Sequence, residues 1–212
     1  MPLDLGHLVL TGGAVTLRPL ELDDASALAA ATAESRASYG FNPVPDGFEQ
    51  MRAFIERALE LRRKGERYSF CTLWQGRPVG STTFLDFQPW VWPAGHPLQR
   101  TDRPDVVEIG GTWLAQSAQR TGCNTGAKFL MLQHAFEQWE VHRVAFRTDE
   151  RNARSRAAIE RLGARLEGVR RAERPGQDGT VRNSVFYSII AAEWPQAKEK
   201  LQARLLSSSA RG

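Results

Sequence analysis

The residues best placed to do chemistry lie in one stretch: Glu108-Ile109-Gly110-Gly111-Thr112-Trp113-Leu114, then Gln119-Arg120-Thr121-Gly122-Cys123-Asn124-Thr125-Gly126-Ala127-Lys128. The first part reads as a strand and the second as a glycine-containing loop opening into an amphipathic helix. Such a loop can turn successive backbone N–H groups toward one point, where the helix N-terminus adds about half a positive charge. Arg120 and Lys128 add full charges, and no acid occurs between Gln116 and Gln133. An anion is expected there; a helix entry with polar capping is the plainer alternative. The phosphate-loop pattern GxxxxGK[ST] fails, because Gly122 to Lys128 has the wrong spacing and Phe129 replaces the hydroxyl residue. The dinucleotide pattern GxGxxG is absent as well. What remains is a Q-R-x-x-G-x-x-[GA]-like loop. Gly110-Gly111 weakens a strand interior, which points to a bulge, a close ligand approach or a merely loose strand.

The elements that must position this stretch follow from the hydrophobic pattern. Leu8–Leu10 and Ala14–Leu20 flank Thr11-Gly12-Gly13 as a hairpin. Asp23-Asp24 caps a helix to about Ala33, and a longer amphipathic helix runs from Phe48 to Lys64. Tyr68–Trp74 and Pro78–Phe87 read as strands around a turn, followed by a proline-rich loop from Gln88 to Asp105 that carries Trp90, Trp92 and His96. Val106–Ala115 is the next strand, Ala127–Trp139 a helix and Arg143–Thr148 a strand. Asn152 caps a helix ending at Leu162-Gly163, and Arg165–Glu173 and Val181–Ala191 form a last β pair. The fold class is α/β (an α+β mixed sheet) with helices on both faces. One domain is expected over residues 1–192, with 193–212 forming a helix opened by Pro195 and a frayed Ser-rich tail.

Composition removes other classes. The 212 residues are 42% hydrophobic and 25% charged, ordinary globular usage that excludes disordered, collagen-like and coiled-coil chains. No apolar run approaches the roughly 20 residues that span a bilayer, and the N-terminus lacks the pattern of a secretory signal. A cytoplasmic protein with no membrane partner is expected. Cys71 and Cys123 make neither a disulfide scaffold nor a CxxC pair. His134 and His142 have no carboxylate in register, so no metal is expected. The net charge is +4, and only four of the 28 basic residues are lysines. Most arginines alternate with acids on helix faces, which argues against a nucleic-acid surface.

The loop Gln119–Ala127, followed by Asn152-Ala153-Arg154-Ser155 and Ile159-Glu160-Arg161-Leu162-Gly163-Ala164, resembles the GCN5-related N-acetyltransferases (GNAT), and most of all their RimJ/RimL-like branch. The element order matches across residues 7 to 192. The resemblance implies a sheet whose strands Val106–Ala115 and Arg143–Thr148 splay apart. Acetyl-CoA would lie in the gap, its pantetheine along the edge of Thr112-Trp113-Leu114. Its pyrophosphate would sit on N–H groups of the Gln119–Thr125 loop, from Arg120 through Thr121, Gly122, Cys123 and Asn124 to Thr125. Asn152 and Ser155 would face the pantetheine or thioester, although helix capping is an equally simple use of Asn152. The reading makes Cys123 a backbone contributor, at a helix N-terminus where thiol pKa values ordinarily fall.

The family further implies that Glu108, eleven positions before Gln119, is the general base. An apolar wall including Trp113 would raise its pKa, and an ion pair with an arginine is the alternative use. Ser155 is the expected proton donor to the departing thiolate, because Ile159 stands where many relatives carry tyrosine. Relatives also commonly carry Glu at the position of Gly126 and Trp at that of Gly111; losing the ring at 111 would enlarge the acceptor site. Trp90 and Trp92 would recognise substrate, cover the sheet or contact a second copy in a homodimer. The implied activity is acetyl transfer from acetyl-CoA to a primary amine, foremost a protein or peptide N-terminus. Its pKa of about 7.7 makes deprotonation easier than at lysine, near 10.4. A small-molecule amine (antibiotic or polyamine), or an acyl-CoA-binding module without turnover, are the alternatives.

Overall fold

A computed structural model describes residues 6–209, with side chains through 207. Met1–Leu5 and Ala210–Gly212, and with them the reading of the N-terminus and the last residues of the frayed tail, lie outside the described residues. In chain order the strands are β1 (Leu10–Gly12), β2 (Val15–Pro19), β3 (Arg67–Trp74), β4 (Arg77–Gln88), β5 (Val106–Leu114), β6 (Arg143–Asp149), β7 (Arg165–Pro175) and β8 (Val181–Ile190). The helices are α1 (Ala25–Ala33), α2 (Gly47–Arg63), α3 (Cys123–Glu137), α4 (Ala153–Glu160) and α5 (Trp194–Ser209).

The strands form one sheet in the order β1-β2-β3-β4-β5-β6-β8-β7. Every neighbouring pair is antiparallel except β5 with β6. Central strands are buried over successive residues, as at Phe84-Leu85 and Val106-Val107, because helices cover both faces of the sheet. One face packs Met51, Ile55 and Leu28 of α1 and α2 over Cys71 and Trp113. On the other, Met131, Leu132 and Ala135 of α3 join Ile159 of α4 and Leu201 of α5 over Phe70, Phe84 and Phe146. Helix α5 thus shares the main core, and Ser207–Ser209 remain helical where fraying was expected.

The arginine-rich surface is laced rather than clustered. Arg52–Glu56, Arg57–Glu60 and Lys64–Glu60 pair at three- and four-residue spacing along α2. Among the described residues, no helix is long and apolar enough to cross a membrane.

Candidate functional site

Strands β5 and β6 pair only at Val106↔Arg143, Val107↔Val144 and Glu108↔Ala145. From Ile109 onward β5 keeps β4 on one side and, among the described residues, has no strand on the other. The expected splay is present. Just beyond the point of divergence the β4–β5 register shifts between Ser81 and Thr83, so that Gly111 and Thr112 together oppose Thr82. This is a β-bulge at the expected glycines. Gly111 has φ +57°, and a Cβ there would stand 3.2 Å from Thr83 Oγ1. The left-handed backbone favours glycine, and any side chain there would be strained and would press on Thr83.

Helix α3 begins at Cys123, four residues before its expected start at Ala127. Thr121 makes the earlier start. Its hydroxyl accepts the Cys123 N–H (3.1 Å) and donates to Ala118 O (2.8 Å), while Arg120 turns the chain at φ +61°. The Gly126 N–H returns to Gly122 O at 2.8 Å, and the Asn124 and Thr125 amides before it sit in the first turn, where no intrahelical acceptor exists. Arg120, Gly122, Asn124 and Thr125 line a long cleft that continues past Gly111 to Glu108. No acid stands in the first turn of α3. The backbone there is therefore suited to an anion such as a pyrophosphate.

Two residues expected at that anion are otherwise engaged. The Cys123 amide is spent on Thr121, and its thiol is buried in the core, which pushes its pKa up to about 12 rather than down. Gln119 works as a latch. Its Nε2 donates to Leu114 O (2.9 Å) and Ser38 Oγ (3.0 Å), and its Oε1 accepts from Arg154 (3.2 Å). Arg154 in turn donates to Ser38 O at 2.6 Å, so the end of β5 is tied to the turn after α1 and to α4. Gly126 is pressed onto β2, where a Cβ would lie 3.0 Å from Val15 Cγ2, so a larger residue would have to displace the Val15 side chain. Lys128 does not face the loop at all: its Nζ donates to Thr82 and Thr112.

At the other end of the cleft, Glu108 is 7% exposed and its carboxylate lies 3.4 Å from the Arg147 guanidinium. Burial raises its pKa to about 7, with Arg147 opposing and Asp86 assisting. Burial prevails because Arg147 is shared. Arg147 approaches Glu173 more closely, at 2.9 Å, and also stands 3.4 Å from Asp86. Asp86 reaches the cluster from a second irregularity in β4, where it takes φ +51°. Glu108 is thus ion-paired to Arg147 while its pKa stays near neutral. Trp113, expected beside it, instead packs edge-on to Tyr39 in the other core cluster, with centroids 6.4 Å apart.

Asn152 and Ser155 line the cleft across from β5. Asn152 Oδ1 accepts the Ser155 N–H at 3.0 Å, a helix N-cap, while the Asn152 N–H donates to Asp149 O. Trp90 and Trp92 are not among the cleft-lining residues. Trp90 stacks on His142 (5.0 Å, 14°) and Trp92 on His96 (4.4 Å, 8°), at the closed end of β5 and β6. Asp105, fully buried, holds this loop by accepting the Trp90 N–H at 2.7 Å.

Sequence reasoning missed Arg147, Asp86, Glu173 and Thr82. Arg147 left one signal, a lone cation between the buried Phe146 and Thr148 of a central strand. Asp86 and Glu173 left none, since they reach the cluster only through strand irregularities.

An open edge between diverging strands, a bulge, an anion-suited helix start and a buried carboxylate thus meet in one cleft. Residues 14–165 match the acetyltransferase (GNAT) domain family, and the chain belongs to that family. The Bacillus subtilis (strain 168) protein YdaF, whose name carries a provisional ribosomal N-acetyltransferase assignment, is 32% identical over 103 residues. That alignment takes in 49% of this chain and 54% of YdaF, so the chain spans about half the length of this curated relative. A crystal structure from T. thermophilus, provisionally described as an acetyltransferase, is 33% identical, with a TM-score of 0.73 over 93% of this chain and 96% of that one. Mycobacterium smegmatis RimJ, in complex with CoA-disulfide, is 24% identical, with a TM-score of 0.73 over 94% and 93%. The likeness to RimJ is one of fold.

Proposed function

We propose that the protein is an acetyl-CoA-dependent N-acetyltransferase of the RimJ/RimL-like kind, acting on a primary amine and foremost on a protein or peptide N-terminus. The observation that carries the reading is the junction at Glu108: the last β5 residue paired with β6 is a buried carboxylate of near-neutral pKa, and the open edge, bulge and α3 start follow directly. Acetyl-CoA would supply an activated acetyl group on a thioester. Its diphosphate suits the amides of Arg120, Gly122, Asn124 and Thr125, and its pantetheine amides suit the unpaired edge of β5 near Thr112–Leu114.

Glu108 takes the proton of the acceptor ammonium. Its pKa of about 7 lies close to the roughly 7.7 of an α-amine, so the transfer is nearly balanced; from a lysine side chain it would run uphill. Arg147 steadies the carboxylate without holding it fully ionised. Backbone N–H groups of the bulge receive the thioester oxygen as charge develops on it. Ser155, which lines the cleft on the helix turn capped by Asn152, relays a proton from solvent to the departing thiolate.

The test is thiol release from acetyl-CoA with purified protein and a panel of acceptors: N-terminal peptides of ribosomal proteins, the same peptides blocked at the N-terminus but carrying lysine, polyamines and aminoglycosides. Mass spectrometry of the products reads the acetylated atom. Turnover confined to free N-termini supports the reading. Turnover confined to polyamines or aminoglycosides assigns a small-molecule acceptor. CoA binding without turnover on any amine leaves only a binding module.

A further inference from the structure

Lys128 is 6% exposed, inside the sheet-facing side of α3. Among the described residues no carboxylate meets its ammonium. Its partners are two hydroxyls, Thr82 Oγ1 at 2.8 Å and Thr112 Oγ1 at 2.5 Å, which are themselves 2.9 Å apart. Thr82 also contacts Met131 Sδ at 3.5 Å, and Thr112 reaches Gly110 O at 3.3 Å. The groups that meet the amine from β4, from β5 and through α3 are thus all neutral, and burial alone depresses its pKa to about 7.

An unpaired ammonium in a core disfavours folding, and a methionine beside Met131 would fill the space without that penalty. Its location gives the lysine a purpose. Thr82 and Thr112 are the residues that face each other across the bulge, one against two, and Gly110 O belongs to the same turn of backbone. Lys128 therefore clamps, from the helix, the segment that the proposed function sets against the thioester oxygen.

We propose that Lys128 is a positioning residue for acetyl transfer: through Thr112 and Thr82 it fixes the direction of the bulge amides toward the thioester oxygen and holds positive charge behind them. The proposal rests on the reading of the cleft as an acetyl-CoA site. Because the amine must be protonated, the rate falls as pH rises above about 7, opposite in sign to the limb set by Glu108.

The test compares Lys128→Met, Thr112→Val and Thr112→Ser by the infrared carbonyl stretch of bound acetyl-CoA labelled with 13C at the thioester, together with kcat, KM and their pH profiles. The wild-type stretch is expected below its value in water. Lys128→Met and Thr112→Val return it toward water and lower kcat by about tenfold to hundredfold, less than the loss of an oxyanion donor outright, with little change in the KM for acetyl-CoA. Lys128→Met also abolishes the fall in rate above neutral pH, and Thr112→Ser, which keeps the hydroxyl, retains more of the stretch shift and of kcat than Thr112→Val. An unchanged stretch and kcat in folded Lys128→Met overturn the proposal, even if its thermal stability moves. Should Lys128→Met fail to fold, the Thr112 pair decides: equal stretch and rates in Val and Ser overturn it as well. Failure of the wild type to bind acetyl-CoA overturns the site reading itself, and that arm is read before any variant.

Discussion

The two halves of β5 share a backbone and differ in everything that surrounds it. Val106, Val107 and Glu108 lie between β4 and β6, all three in register with β6, and are 7% exposed or less, and the loop held by Asp105 covers their end of the sheet. Gly110, Gly111 and Thr112 are partnered on one side, bulged, and open to the cleft. A strand closed on both edges can hold a side chain rigidly in a dry place. A strand open on one edge offers its own N–H and C=O groups to a ligand. Glu108 stands at the boundary, where it gains the burial that lifts its pKa and still faces the cleft.

Mutations should separate the two halves. Gly122→Glu places a carboxylate at the N-cap of α3, in the anion-suited part of the cleft. CoA affinity by calorimetry should fall roughly 100-fold or more, since like-charge juxtaposition costs several kcal/mol. Val107→Ala, on the closed half, should do the reverse: about 2 kcal/mol of stability lost in denaturant titrations, with the Kd of the folded protein unchanged. If Gly122→Glu binds CoA normally, the diphosphate lies elsewhere and the comparison fails.

Glu108→Gln acts at the boundary. It should lower kcat by about 10²-fold or more, the range for a general base, with CoA affinity preserved, and the rise of rate through pH 7 should vanish. Stability gives an independent readout. The folded pKa of about 7 lies above the ordinary 4.5, so the folded state binds the extra proton between those values. Wild-type stability contributed by this group therefore falls as pH rises from 4.5 to about 7 and is level beyond both limits. Glu108→Gln should exceed wild type in stability above pH 7, with the gap closing toward pH 4.5. A constant gap would mean that Glu108 titrates as an ordinary surface acid.

Much of this was legible in the sequence, for reasons particular residues show. The glycines at 110 and 111 pointed to the bulge because the positive φ found at Gly111 is a conformation that glycine adopts without the strain a side chain brings. Asn152 announced its cap because the side chain bonds its own helix. The start of α3 was misread because Thr121, one residue ahead of the N-cap Gly122, and the interior Gly126 both look like loop. The Arg147–Asp86–Glu173 cluster and the inward turn of Lys128 were hidden for a different reason: they depend on which strands become neighbours and on where two of them slip register. Local periodicity records faces, not partners.

The smallest effect concerns the loop over the closed end. From the sequence its tryptophans were open to recognising acceptor, covering the sheet or contacting a second copy; Trp90 stacks on His142 at 5.0 Å, and neither Trp90 nor Trp92 lines the cleft. Trp90→Ala should remove an aromatic pair of about 0.5–1.5 kcal/mol and lower Tm by a few degrees. The kcat and the KM for peptide acceptors should stay within about twofold, an energy below RT by the tenfold-per-1.4 kcal/mol rule. A tenfold rise in peptide KM, with stability intact, would show instead that acceptors reach the closed end. The acceptor site would then extend around the strand edge, and the contrast between the two halves of β5 would hold for acetyl-CoA alone.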